Sequence, residues 1–149
     1  MTGQEAAEKI KREQAERERL HIEAMTRAEM LTMGTRLFWE QLQETLSREL
    51  EAFKTGIAPQ ADHVQGQAVN PKNFTVFSSG KHMLVVSLDH NDVVDCQFTN
   101  PRPFSNQHTR TQSSFSYDET TGTVKLDGQT VDEAANTILA PVYEYFSNA

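Results

Sequence analysis

Few side chains in this 149-residue chain could do chemistry, and none stands in a pattern that specifies a reaction. Cys96 is the one thiol. It falls mid-strand in the run Val93–Thr99, where alternation puts Val94, Cys96 and Phe98 on one face and Asp95 and Gln97 on the other. With no His, Lys or Arg beside it in sequence, nothing would lower its pKa, so a buried structural thiol is expected rather than a nucleophile. The histidines, His21, His63, His82, His90 and His108, show no HxxxH or HExxH spacing, so no metal site is expected. Asp89 and Asp92 bracket a turn between two strand-like runs, where short acidic side chains bond their own backbone. Together with Asp95 they lack the regular ligand series and the terminal bidentate Glu of a calcium loop. Ser79-Gly80-Lys81 lacks the upstream Gly and the following Ser/Thr of a phosphate loop, and it leads into a strand.

One long polar stretch, Asn100–Ser114, is a candidate functional loop. It carries Arg102, Phe104, His108 and Arg110. Long loops in compact domains are frequently binding elements. A small-molecule or hydrolytic site between this loop and the sheet, drawing on His82 as well, is one reading of the chain. It requires those side chains to converge in one concavity.

The elements that must position these residues begin with a helix too long for the rest of the protein. From about Gln4 to Phe53 there is no proline and one glycine, Gly34, in a background of Glu, Ala, Arg, Leu, Gln and Met. About 50 helical residues span ~75 Å, whereas a compact chain of this length is roughly 40 Å across. Residues 1–19 read as a charged, solvent-exposed helical arm, with Glu5–Lys9, Glu8–Arg12 and Glu13–Arg17 at i,i+4 spacing. Residues 20–149 read as one domain. From Leu20 an apolar stripe of Leu20, Ala24, Ala28, Leu31, Phe38, Leu42, Leu46 and Phe53 is expected to pack on its core, widened by Trp39 and Leu50. Ile22, Met30, Met33 and Leu37 lie roughly opposite that stripe. A helix apolar on two sides has two neighbours. A break at Thr32–Thr35 would fold the segment into a helical hairpin instead. The absence of proline or an Asn-Gly or Asp-Gly turn favours a continuous helix, ending near Thr55-Gly56 with Gly56 as a left-handed cap.

Residues 62–127 read as an antiparallel meander of four to five strands. They are Asn73–Ser78, His82–Leu88, Val93–Thr99, Ser113–Tyr117 and Thr123–Asp127, with Val64–Val69 a weak further strand. Thr130 followed by Glu133 has the spacing of a capping box and opens a C-terminal helix over 130–147, which Pro141, inside its apolar pattern, is expected to kink or split. The expected fold class is α+β, with both helices on one sheet face.

The formal net charge is −7. Residues 1–60 are nearly balanced, with nine Lys/Arg against eleven Asp/Glu, and residues 61–149 hold five against ten. Neither half offers the basic surplus that nucleic acid or an anionic membrane selects. The first 20 residues contain no apolar signal-peptide core, and no run approaches the ~20 residues of a membrane span. A cytoplasmic location is expected, consistent with a single cysteine. No cofactor is expected. The function these features favour is a non-enzymatic interaction subunit. It would dock a protein partner or self-associate, as in a coiled coil, through Ile22, Met30, Met33 and Leu37.

Overall fold

The computed structural model describes residues 2–147, so Met1, Asn148 and Ala149, at the outer bounds of the expected arm and domain, lie outside the described residues. Helix α1 is continuous from Gly3 to Gly56, 54 residues. Its start is fixed chemically. Thr2 Oγ1 accepts from the Glu5 N–H at 3.1 Å, and the Glu5 carboxylate accepts from the Thr2 N–H at 3.3 Å. Its end differs from expectation. Gly56 is still helical, and Ile57 is the cap at φ −114°, its N–H donating to the Phe53 and Thr55 carbonyls. Ile57 packs against the core, and that packing turns the chain without a left-handed glycine.

Six antiparallel strands follow: β1 Val64–Asn70, β2 Asn73–Ser78, β3 Lys81–Leu88, β4 Val93–Thr99, β5 His108–Asp118 and β6 Thr123–Leu126. They pair in sequence order, so the sheet is a simple meander. Turn chemistry sets the register. Ser79 at φ 50° and Gly80 at φ 81° form the two-residue β2–β3 turn, whose hand matches the strand twist. Asp89 Oδ1 accepts from the N–H groups of Asn91 (2.8 Å) and Val93 (3.0 Å), closing β3–β4. Helix α2, Val131–Ser147, opens on Thr130, whose hydroxyl and N–H exchange bonds with Glu133, and runs unbroken through Pro141.

The strand count exceeds expectation by one or two because β1 carries no apolar alternation, and β5 begins earlier than expected for the same reason. In β1 only Val64 is buried. In β5 the first five residues are exposed on both faces. Ser113–Tyr117 is therefore only the second half of β5, and the connecting loop is 100–107 rather than 100–114.

The sheet curls so that both its edges reach α1. Gly34 abuts Val124 of β6. Phe38 meets Phe115 of β5 edge-on, with ring centroids 5.3 Å apart. Trp39 Nε1 donates to the Pro71 carbonyl in the β1–β2 turn at 2.8 Å, and Leu50 lies over Gly66 of β1. Helix α2 packs beside α1 through Phe53, whose ring is 4.6 Å from Tyr143 and 5.7 Å from Phe146. The core between the helices and the sheet holds Phe38, Trp39, Leu42, Leu46 and Leu50 from α1. Each contributes roughly 1.5–3 kcal/mol of burial, so residues 38–50 are held far more firmly than helix propensity could hold them.

The first half of α1 has no such support. Every residue from Ala7 to Met30 is exposed, so Leu20, Ala24 and Ala28 do not join the core as expected. The stripe first touches it at half-buried Leu31. The reason is the width of the sheet. Val124, near the hairpin end of β6, sits at Gly34, and beyond it, among the described residues, the Arg27–Glu119 ion pair (2.9 Å) links helix to sheet. With both side chains 62% exposed, that pair is worth only about 0–1 kcal/mol. Within the arm, Arg19 pairs with Glu16 and, at 2.8 Å, with Glu23. The three expected i,i+4 pairs are not within ion-pair distance among the described residues.

Candidate functional site

An apolar concavity lies where the exposed arm meets the domain. Gly34 has no side chain, so the β5–β6 hairpin closes directly onto the α1 backbone. Met30 and Leu37 stand one turn to either side of that contact, Met33 stands next to it, and all three line the concavity. Tyr117, Val124 and Val131 form the opposite wall, from β5, β6 and the first turn of α2. The cavity volume is about 480 Å³. Met30 is 46% exposed, Met33 73% and Leu37 55%, which is a large apolar surface left in water. Polar groups stay at the rim, where Lys125 Nζ is held by Asp118 at 3.0 Å. Three of the four expected interface residues thus line one groove. Ile22, 62% exposed, lies two turns further out on the arm. The hairpin and α2 wall is absent from the sequence-based expectation. Tyr117, Val124 and Val131 fall within the expected strands Ser113–Tyr117 and Thr123–Asp127 and the expected helix over 130–147, with no local pattern to bring them to α1.

The groove can take an apolar side chain or the face of a helix. Its lining holds no His, Cys, Asp or Glu, and its one charged side chain, Lys125, is paired with Asp118. Among the described residues no three His, Cys, Asp or Glu side chains are placed to hold a metal ion. Cys96 lies under α2, its thiol pushed up to about 12 by burial and by the neighbouring Asp95 charge.

The loop residues do not converge. The Arg102 guanidinium sits over the Tyr145 ring of α2, 4.9 Å from its centroid. Phe104, in the left-handed region at φ 66°, is fully exposed at the loop tip. His108 opens β5 and shares a 2.9 Å hydrogen bond with Thr99. Arg110 lies on the sheet face away from the helices, where its Nε donates to Asp95 Oδ1 at 2.8 Å. His82 packs on Phe77, with centroids 5.2 Å apart.

The Asp95–Arg110 pair accounts for a buried charge. Asp95 is 8% exposed although it faces away from the core. Burial raises its pKa, but hydrogen bonds from Arg110 and Gln97 and the Arg110 charge outweigh that and hold it below the usual value. A carboxylate depressed in the folded state contributes stability above its unfolded pKa of about 3.9 and loses it as pH falls further. Arg110→Ala leaves the carboxylate buried with one partner fewer. The variant is expected to lose about 1 kcal/mol at pH 7. Part of that loss should return as the pH is lowered toward 4, because protonation then relieves the burial. Urea melts at the two pH values check this, and an equal loss at both would contradict the assignment.

The chain matches no protein-family model, no curated protein and no solved structure. Among the described residues no helix is long and apolar enough to cross a membrane.

Proposed function

We propose that this protein is a non-enzymatic interaction subunit that binds a protein through the free half of α1 and the groove at its base. One observation carries the reading. An unbroken run of exposed residues from Ala7 to Met30 stays helical and includes Ile10, Leu20, Ile22, Met25 and Met30, each at least 46% exposed. Most helical stability in proteins comes from packing of an apolar face rather than from propensity, and methionine-rich helical faces suit adaptable protein contacts. The lone buried cysteine suits a reducing cytoplasm, and the net charge of −7 disfavours nucleic acid as the occupant. The test is a photo-crosslinking residue placed at Met33 in the protein expressed in its host, with Asn91 in the β3–β4 turn as control. A discrete adduct at Met33 and none at Asn91 is expected. No adduct at Met33 would overturn the proposal.

A further inference from the structure

We infer that the occupant of this face is a second copy of the chain, its α1 running antiparallel to the first about a two-fold axis between Glu29 and Met30. The inference rests on the reading of α1 as a docking element and goes on to say what docks.

The spacing of the apolar residues is self-complementary. Helix α1 runs from Gly3 to Gly56, so its midpoint falls between residues 29 and 30. Ile22, Thr26, Met30, Met33 and Leu37 follow one another at intervals of four, four, three and four, which keeps them on one face. Ile22 and Leu37 are equidistant from the midpoint, and so are Thr26 and Met33. An isologous contact requires that when residue i meets j, j also meets i. Antiparallel pairing about this point satisfies that condition. Each Ile22 meets the second copy's Leu37, each Thr26 meets the second copy's Met33, and the two Met30 side chains meet at the axis beside the grooves. A partner of unrelated sequence would impose no such symmetry on this face.

The rest of the helix is open to the same pairing. On the packed half of α1, the continuation of that face through Gln41, Glu44, Arg48, Glu51 and Thr55 is exposed throughout. The second copy's arm would lie along it, so neither arm would project into water. Arg19 falls opposite Glu40. Residues 3–30 hold six Lys/Arg and seven Asp/Glu, so two arms carry little net charge to repel one another.

The area is sufficient. Ile22, Met30, Met33 and Leu37 are between 46% and 73% exposed. At on the order of 100 Å² each, the eight side chains of two copies would remove ~800 Å² of apolar surface, and the polar flanks bring the total into the roughly 1,200–2,000 Å² range of stable interfaces.

The full-length protein tests this directly. Light scattering at micromolar concentration is expected to give about twice the 16.8 kDa chain mass. A spin label at Gln14→Cys should report a distance of roughly 45 Å between copies, since 31 residues separate the two labels along an antiparallel pair, against less than ~20 Å for a parallel one. Cys96 is buried and does not compete for the label. Met30→Glu, Met33→Glu and Leu37→Glu together should give a monomer. If that triple variant fails to fold, Ile22→Glu, on the exposed arm, should still weaken dimerisation at least tenfold with an unchanged thermal melt. A wild-type monomer, a short label distance, or a dimer untouched by Ile22→Glu would overturn the inference. The Met33 adduct separates this failure from that of the broader proposal. A wild-type monomer with an adduct of foreign mass leaves docking standing and removes the second copy, whereas a monomer with no adduct removes both.

Discussion

Gly34→Val is expected to destabilise the protein by about 3 kcal/mol, with the loss concentrated in the β5–β6 hairpin. By helix propensity alone, a glycine within a helix should be improved by substitution, since alanine there gains up to about 1 kcal/mol. Tertiary geometry reverses the sign. A Cβ at position 34 would lie 2.2 Å from Cγ2 of Val124 and 3.0 Å from its Cβ. Val124 is β-branched and stiff at χ1, so the clash is not relieved by swinging a flexible end aside. Either the hairpin lifts from α1 and opens the contact between Phe38 and Phe115, or the helix bends. Gly34→Ala should show the same sign with a smaller loss. Pairing Gly34→Ala with Val124→Ala removes the clashing methyl and should recover at least half of it, a coupling within the roughly 0.5–3 kcal/mol seen for residues in direct contact. Urea melts of the four-member cycle measure this, and hydrogen exchange on β6 locates it. A stabilising Gly34→Ala would mean that helix propensity outweighs the close approach and that the hairpin is not seated as described.

Gly34 also shows where sequence reasoning reaches its limit. In the chain it reads as a weak point, the one place where the helix could break. Its actual role depends on Val124, ninety residues away, which no local pattern can place. The elements that were legible bury one face. Val94, Cys96 and Phe98 alternate with Asp95 and Gln97 and lie on opposite sides of β4 as their spacing requires, and Phe38, Leu42, Leu46 and Leu50 recur at helical intervals and are buried. Strand β1 and the first half of β5 bury almost nothing, since Gln65, Gln67, Thr109, Arg110 and Gln112 are held by ladder hydrogen bonds rather than by packing. A strand maintained by its neighbour's backbone leaves no periodic trace. The groove was half legible for the same reason. Met30, Met33 and Leu37 announce themselves as apolar residues on the wrong side of an amphipathic helix, whereas Tyr117, Val124 and Val131 join them only because the sheet curls back onto α1.

Periodicity also cannot tell a covered face from a bare one, and a pair of truncations in α1 makes that difference measurable. Leu20 and Leu42 belong to the same 3.6-residue stripe, six turns of helix apart in total extent. Leu42 is 0% exposed, between the helices and the sheet, and Leu20 is 52% exposed, beyond the last strand. Leu42→Ala should cost about 3–4 kcal/mol, because the transfer energy of the lost methyl groups is joined by the cavity they leave. For a chain of this size that lowers the melting temperature by roughly 10 °C. Leu20→Ala removes a half-solvated side chain and installs the best helix former, so it should change stability by less than about 0.5 kcal/mol. Leu20 also lies well away from the Ile22–Leu37 face, so the truncation should leave the dimer mass unchanged. Paired thermal melts decide the matter. Equal losses at the two positions would mean that in solution the arm folds back and Leu20 is covered by its own domain. The projecting helix, the exposed face and any docking through it would then fall together.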